Sequence, residues 1–435
     1  MVFGPALLGA GVLCRRRWLL LLFGGLAVSV LSFHAREGLE PIPIREWSGH
    51  VELVADPQDL PGRVVVDVAS DVGRLQMVVP QSLASVLRTA PAGRRFFVRG
   101  NLREIANPAR VAYRHVRMAL NVSELSALGH TALWRLPVDL VRGAILRGAR
   151  ALPVEQQPIY SGFVIGDDRG SDEEIVAAFE RSGLTHLLVV SGENVVFIIA
   201  VVAPLVSRLR RRQRMVVCIV VLVLFAAITR FEPSVLRATA MAVVAVVGAG
   251  SGRPLDAQRR LTVAVALLIV IDPLLVESLG FRLSVAATLG ISFLAVPIAK
   301  RLVGPNWLRQ VLSVTIAAQV AVAPLIIPIF GPLPLASLPA NVLAEPVAGF
   351  VMMWGSSVGL IAGAIGGAPA VALQVPVRLG VWWIMAVADW CAGLPLPRLT
   401  LLTISIIVGV ALSVVWMKSI WIRHRSTRRR RPSAG

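Results

Sequence analysis

Residues 160–206, YSGFVIGDDRGSDEEIVAAFERSGLTHLLVVSGENVVFIIAVVAPLV, carry polar groups into an apolar run. His186, Ser191, Gly192, Glu193 and Asn194 stand where a structural membrane span would hold Leu, Val or Ala. An ionisable side chain near the bilayer centre costs about 2.5–3.5 kcal/mol, so such groups face a wet path or a partner. His186 and Glu193 are separated by close to two helical turns, which predicts that they share one helix face. The competing reading is a polar helix start in the headgroup region, where polarity costs little.

Further along, the apolar segments hold Glu232 and Arg237, Asp272 and Glu277 near Arg282, Gln319, Asn341 with Glu345, and Asp389. Each has an ordinary alternative: Glu232, Asp272 and Glu277 at the outer interface, Asp389 paired with an arginine. Taken together they match the lining of a polar passage, because a lipid-facing surface would not accept them. The candidate lining residues are therefore His186, Ser191, Glu193, Asn194, Arg237, Glu277, Arg282, Gln319, Asn341 and Glu345. HExxH, GxSxG, P-loop and His-rich metal patterns are all missing, so no catalytic residue, metal ligand or cofactor is expected and the chain does not read as an enzyme.

The elements that must position these residues follow from composition. The chain has 435 residues, 56% hydrophobic and 16% charged, with a mean hydropathy of +0.73, which is the composition of an integral membrane protein. Spans are expected near 184–207, 215–230, 233–250, 258–272, 279–298, 308–330, 342–365, 369–392 and 399–420. With Trp18 to Phe33 as an uncleaved anchor, they make a polytopic all-α membrane domain of about ten transmembrane helices. A cleaved signal peptide is the competing reading of that first stretch, although LSFHA makes a poor cleavage site.

Net charge +19 invites a nucleic-acid reading, but the excess sits in five clusters, at Arg15 to Arg17, Arg208 to Arg214, Arg253 to Arg260, Lys300 to Arg309 and Lys418 to Arg431. Outside them acids and bases nearly cancel. The alternation of spans puts all five clusters on the cytoplasmic side, so the charge orients helices and is no argument for nucleic acid. Cys14, Cys218 and Cys391 lie far apart and form no disulfide or metal pattern.

Between the anchor (1–46) and the membrane domain (159–420) the character changes. Residues 47–120 read as five short strands, HVELVAD, RVVVDVAS, RLQMVVP, RRFFVRGNL and VAYRHVRMAL, with a short helix in QSLASVLRTA after the third. That order is the OB-fold order and predicts an extracytoplasmic OB-like β-barrel domain. Arg94, Arg95, Phe96, Phe97, Arg99 and Tyr113 are its candidates for stacking on and charge-pairing with single-stranded DNA, although one of the two adjacent Phe residues must point into the core. Residues 121–158 read as a connector with one interfacial helix, and 421–435 as a basic cytoplasmic tail.

GLTHLLVVSGENV from Gly183 resembles the signature of the ComEC-type competence membrane proteins, close to GLxHLLAVSGLHV, and GDDRGSDEEIVAAF resembles the segment that precedes it. PSVLRATAM from Pro233, DPLLVESLGFRLSVAATLGI from Asp272 and AAQVAVAPLIIPIFGPLPLASLPANVLAEP from Ala317 are similar to three later blocks of that family, in the same order. The resemblance covers roughly 47–400. It implies a multi-pass protein of the cytoplasmic (inner) membrane, C-terminus inside, that passes single-stranded DNA into the cell in natural transformation. It also implies as partners membrane lipid, a surface DNA receptor, a cytoplasmic helicase-like motor and a second copy of the chain.

The family's metallo-β-lactamase-like domain has no counterpart here, so a nuclease step is expected from another polypeptide. Glu193 stands where the family carries a small or apolar residue, Arg282 where it carries Gln, and Glu277 where it carries Asp at another offset. An acid on the path would repel phosphate unless Arg237 or Arg282 compensates. The alternative function is a permease or lipid-handling protein on the same fold, and a membrane-embedded hydrolase using His186 and Glu193 would need a nucleophile or metal that the sequence does not show.

Overall fold

A computed structural model describes residues 18–43, 46–88, 90–128, 135–190, 192–252 and 254–400. Ser191, the tail 421–435 and nearly all of the expected span 399–420 lie outside the described residues. Helix α1 (Trp18–Glu37) leads into strands β1 (Glu46–Leu53), β2 (Gln58–Leu60), β3 (Arg63–Ser70), β4 (Gly73–Pro80), β5 (Arg95–Arg103) and β6 (Val116–Leu128).

Alternation dictates the strands: along β5 the residues Phe96, Val98, Gly100 and Leu102 are buried while Arg95, Phe97, Arg99, Asn101 and Arg103 are exposed, the period of two expected of a half-buried strand. The pairings run β1–β3, β3–β4, β4–β6, β6–β5 and β5–β1, so the sheet returns on itself; only β4–β6 is parallel. β2 is added outside the ring, on β3. Leu53, Val68, Leu75, Met77, Phe96 and Leu120 fill the interior, and Leu87 of the four-residue helix Ser85–Arg88 plugs it between β4 and β5. Gly100 sits at the β5–β6 bulge, where a Cβ would lie 2.2 Å from the Asn121 carbonyl oxygen.

The helical part contains α2 (Leu136–Ala149), α3 (Gln157–Ile165), α4 (Glu173–Ser182), α5 (Glu193–Val206), α6 (Arg211–Ile228), α7 (Pro233–Gly250), α8 (Ala257–Ile271), α9 (Leu279–Ala299), α10 (Asn306–Phe330), α11 (Ser337–Ile365) and α12 (Gly367–Ala392). Among the described residues five helices, α7 and α9 to α12, are long and apolar enough to cross a membrane, and α5 is apolar but shorter. The expectation of about ten spans is not confirmed by these helices, and nearly all of the expected span 399–420 lies outside the described residues. The physical reason lies in the short hairpins: α8 has 15 residues, and the first turn of α6 is rich in arginine.

Two further expectations change. The expected span 184–207 is broken: Thr185–Leu188 is one helical turn, Val189 is extended, and α5 begins only at Glu193. His186 and Glu193 consequently do not share a helix face. The connector 121–158 is not simply a helix lying on a surface, because β6 continues to Leu128 and α2 packs into the helical domain.

That packing depends on three glycines spaced four apart near the end of α11. Gly355 and Gly359 lie against Tyr160 of α3, and a Cβ on Gly363 would stand 1.7 Å from the Ala144 carbonyl oxygen of α2. Backbones approach this closely only where side chains are missing, the rule for small residues in membrane helix pairs. Tyr160 is fully buried and donates its hydroxyl to the Gly355 carbonyl at 3.3 Å.

Gly363→Ala is expected to destabilise the protein by about 1–3 kcal/mol through overpacking of α2 on α11. Gly280→Ala, where the nearest atom to a new Cβ is 3.8 Å away, stays near wild type. Thermal unfolding of the purified full chain in detergent checks the pair.

Candidate functional site

Two polar assemblies organise the helical domain. The first is a buried ion network between the β domain and the helices. Arg142 on α2 is 4% exposed, and its Nη1 donates to the carbonyls of Ile165 at 3.2 Å and Ile228 at 2.6 Å. These are the last residues of α3 and α6, so one guanidinium closes two helix C-termini, where cations are favoured. Its Nη2 donates to Asp56 in the β domain and to Asp167 at 3.2 Å. Arg169 grips the same Asp167 through Nε at 2.7 Å and Nη2 at 2.6 Å, a two-pronged carboxylate contact. Arg230 completes the cluster by donating from Nη2 to Asp56 Oδ1 at 3.0 Å. Arg230 and Phe231 both adopt left-handed backbone angles, with φ of 58° and 55°, a conformation unfavourable for residues with a Cβ.

Burial alone would raise the Asp56 carboxyl, but Arg142 and Arg230 outweigh it and hold it below its ordinary value. Burial pushes Asp67 the other way, and the nearby Arg114 and Arg74 only partly oppose this.

A second docking contact ties α1 and the β domain to the segment before α9. Arg36 donates to Glu277 Oε1 at 2.5 Å, Ser32 Oγ to the Pro273 carbonyl at 3.2 Å, and His115 Nε2 to Asp272 Oδ2 at 2.9 Å. The Glu277 carboxylate therefore serves α1 and does not pair with the Arg282 guanidinium. Among the described residues Arg282 reaches only the Glu277 carbonyl, at a long 3.4 Å, and its Nε is buried without a hydrogen bond.

The second assembly surrounds the break before α5. Asn194 is buried and donates to the Phe163 carbonyl at 2.7 Å, fixing α5 to α3. Ser234 donates to the Val190 carbonyl at 3.0 Å and so satisfies backbone left open by the break. Arg237 on α7 is 8% exposed; its Nε donates to Ser284 Oγ of α9 at 2.7 Å, and its Nη2 lies 2.7 Å from where a Cβ of Gly192 would stand. On another side, Glu193 and Glu345 line one cleft of about 480 Å³ with Phe197, Val311, Phe350 and Met353.

The structure thus brings Asn194, Glu193, Arg237 and Glu345 to the region of one helix break. His186 lies exposed on the preceding turn. Gln319 donates to Ser337 Oγ at 2.8 Å, and Asn341 is buried in α11 with its Oδ1 unbonded. In the β domain Phe96 is 0% exposed and is no stacking surface, a correction forced by the strand period, while Phe97 is 37% exposed and packs edge-on against His50. Arg94 lies over the Phe96 ring, Arg95 pairs with Glu52 at 3.3 Å, and Arg99 with Glu124 at 3.6 Å. Tyr113 is half-buried, and burial raises its hydroxyl above the ordinary value despite Arg114. Among the described residues no group of three or more His, Cys, Asp or Glu is placed to hold a metal ion.

The sequence reading missed the Asp56–Arg142–Asp167 network and Ser284. A basic residue inside the connector and the acidic GDDRG lead-in were visible, but nothing in their spacing says that they meet.

A ring of paired strands joined to a domain of apolar helices, one of them broken at a polar motif, defines a polytopic helical membrane protein with an N-terminal β domain. A family model described as "Competence protein" matches residues 163–426, more than half of the chain, and the chain belongs to that family. It is similar to the ComE operon protein 3 of Bacillus subtilis (strain 168), with 24% identity over 250 residues, covering 57% of this chain and 32% of that relative. The matched region thus spans about a third of the relative's length. No solved structure matches the chain at a significant level.

Arg142→Ala takes one of two guanidinium partners from each of Asp167 and Asp56 and leaves the Ile165 and Ile228 carbonyls without its donor, and is expected to cost about 1–3 kcal/mol, read as a lowered unfolding temperature. Asp56, with a folded value below the unfolded carboxylate value of about 3.9, contributes stability that is fully present above that value. The contribution is lost as pH falls through the lower, folded value. Asp67 acts in the opposite sense, so the readout is the difference between wild type and Asp56→Asn. That difference is expected to hold from neutrality down to about pH 4 and to shrink as pH falls below it, and a difference that stays constant there counts against the network.

Proposed function

We propose that this chain forms a passage for single-stranded DNA across the cytoplasmic membrane in natural transformation. The observation that carries the reading is the interrupted helix in the family-matched region. It leaves a polar backbone break beside a buried arginine, an arrangement found where irregular backbone lines a cavity or ion path rather than lipid. The name of the Bacillus subtilis relative, a product of a competence operon, agrees with this direction. The strand pairings fit an OB-like barrel, with the helix between the third and fourth ring strands, and the charge clusters favour its placement outside the cytoplasm and the C-terminus inside. Exposed Phe97 with Arg95 and Arg99 on the same strand then offers a stacking and charge surface to an incoming strand. A surface DNA receptor, a cytoplasmic helicase-like motor and a second copy of the chain are the partners that this role calls for.

One observation favours a second reading, a permease or lipid-handling protein. The cleft that holds Glu193 and Glu345 has aromatic and thioether walls and carries carboxylates, which suits a cationic or amphiphilic organic solute better than a phosphate chain.

A deletion strain is expected to lose uptake of labelled DNA. Arg282→Ala is expected to lower uptake by about tenfold, equivalent to about 1.4 kcal/mol, with unchanged abundance in the membrane. Unimpaired uptake by the deletion strain would favour the second reading.

A further inference from the structure

We infer that the arginine-rich face formed by the α5–α6 turn and the start of α8 binds the headgroups of anionic phospholipids. Arg208, Arg210, Arg211, Arg212 and Arg214, before and within the first turn of α6, are all exposed, as is Arg259 of α8. Arg211 Nη2 donates to the Ala249 carbonyl at 2.6 Å, and a Cβ on Gly250 would stand 2.6 Å from the Met215 sulfur. The start of α6 and the end of α7, from which the chain turns into α8, therefore meet at one surface. Asp256 is the one acid of the two turns, and Arg259 pairs with it at 3.4 Å. Every Asp and Glu of the chain lies among the described residues, and none of the others forms an ion pair with this face. Its charge is left for a partner outside the chain.

The opposite ends of the same helices lie against the β domain. Arg230 in the α6–α7 turn meets Asp56, and Asp272, just after α8, meets His115. Helices α6 and α8 thus run from one face of the helical domain to the other with only 18 and 15 residues. At 1.5 Å per residue they measure about 22–27 Å, against a hydrocarbon core of about 30 Å. Helices this short draw headgroups toward their ends by thinning the bilayer, and flanking arginines reach out to meet them. Leu205, Val216 and Val263 are exposed apolar side chains within about one turn of Arg208, Arg212 and Arg259. The arginines are therefore continuous with a lipid-facing surface, which favours a lipid headgroup over a nucleic acid or a protein. Guanidinium groups match the phosphate oxygens of such a headgroup, and basic clusters beside membrane helices attract anionic lipid. The positive-inside rule favours placement of this face at the cytoplasmic leaflet.

The test uses the purified full chain in phosphatidylcholine nanodiscs, with and without phosphatidylglycerol in place of about a third of the lipid. Phosphatidylglycerol is expected to raise the melting temperature of wild type, and added NaCl to shrink the rise. The side chains of Arg208 and Arg212 are exposed and make no hydrogen bond among the described residues. Arg208→Gln with Arg212→Gln is expected to lose about half of the rise or more, and Arg208→Lys with Arg212→Lys to keep most of it. Arg63→Gln with Arg103→Gln removes the same charge from the β domain and is expected to keep the rise. Equal melting of wild type in the two lipids, or an equal loss in the two Gln pairs, overturns the surface. A rise unchanged by Arg208→Gln with Arg212→Gln, together with weakened binding of an oligothymidylate, assigns the face to nucleic acid and overturns the lipid reading. Should that Gln pair fail to fold, wild type alone decides. A phosphatidylglycerol with a photoreactive headgroup is expected to crosslink within 205–216 and 256–263, and crosslinks confined to other segments overturn the surface.

Discussion

The guanidinium of Arg142 is the constraint on which the rest of the molecule depends. It is buried where three parts of the chain meet: the β domain through Asp56, the loop after α3 through Asp167, and the ends of α3 and α6 through their last carbonyls. Two carboxylates and two carbonyls are enough to satisfy a buried guanidinium, and with fewer partners the charge would not tolerate burial. The network thus specifies geometry more than it adds stability, because the β domain docks correctly only where Asp56 meets both Arg142 and Arg230. Long-range pairs of this kind hold the β domain in register with a helical domain whose core, among the described residues, is separate from its own.

Close packing on α11 makes the burial possible. Glycines at 355, 359 and 363 let α2 and α3 approach the backbone of α11, which carries Arg142 inward and places Tyr160 at the centre of the bundle. The same α3 accepts Asn194 at the Phe163 carbonyl, so the position of the helix break is set by the bundle and not by α5 alone. Strain at Arg230 and Phe231 fits this picture: the α6–α7 turn is held in an unfavourable conformation because its arginine is required at Asp56.

Much of this was legible in the residues. The β strands appear where β-branched residues alternate between Pro and Gly, and α7, α9, α10 and α12 start and stop within a few residues of their hydropathic limits. The break after Leu188 was not, because Val189 and Val190 are as apolar as their neighbours and the polar SGEN motif is compatible with a continuous helix. The partners of Glu277 and Asp56 were equally out of reach. Each lies more than 80 residues along the chain from the arginine of α1 or α2 that meets it, and no periodicity links such positions.

The sequence by itself determined the membrane character, the inserted β domain, the resemblance to a family and the set of polar residues worth attention. These follow from hydropathy, alternation and local motifs, which act over a few residues. Only the tertiary structure decided which of those residues meet: Arg237 with Ser284 near the start of α5, Glu193 with Glu345 across a cleft, and Arg142 with two carboxylates. The reason is that a buried charge takes its environment from helices that close packing brings together, and that environment is a property of the assembled bundle.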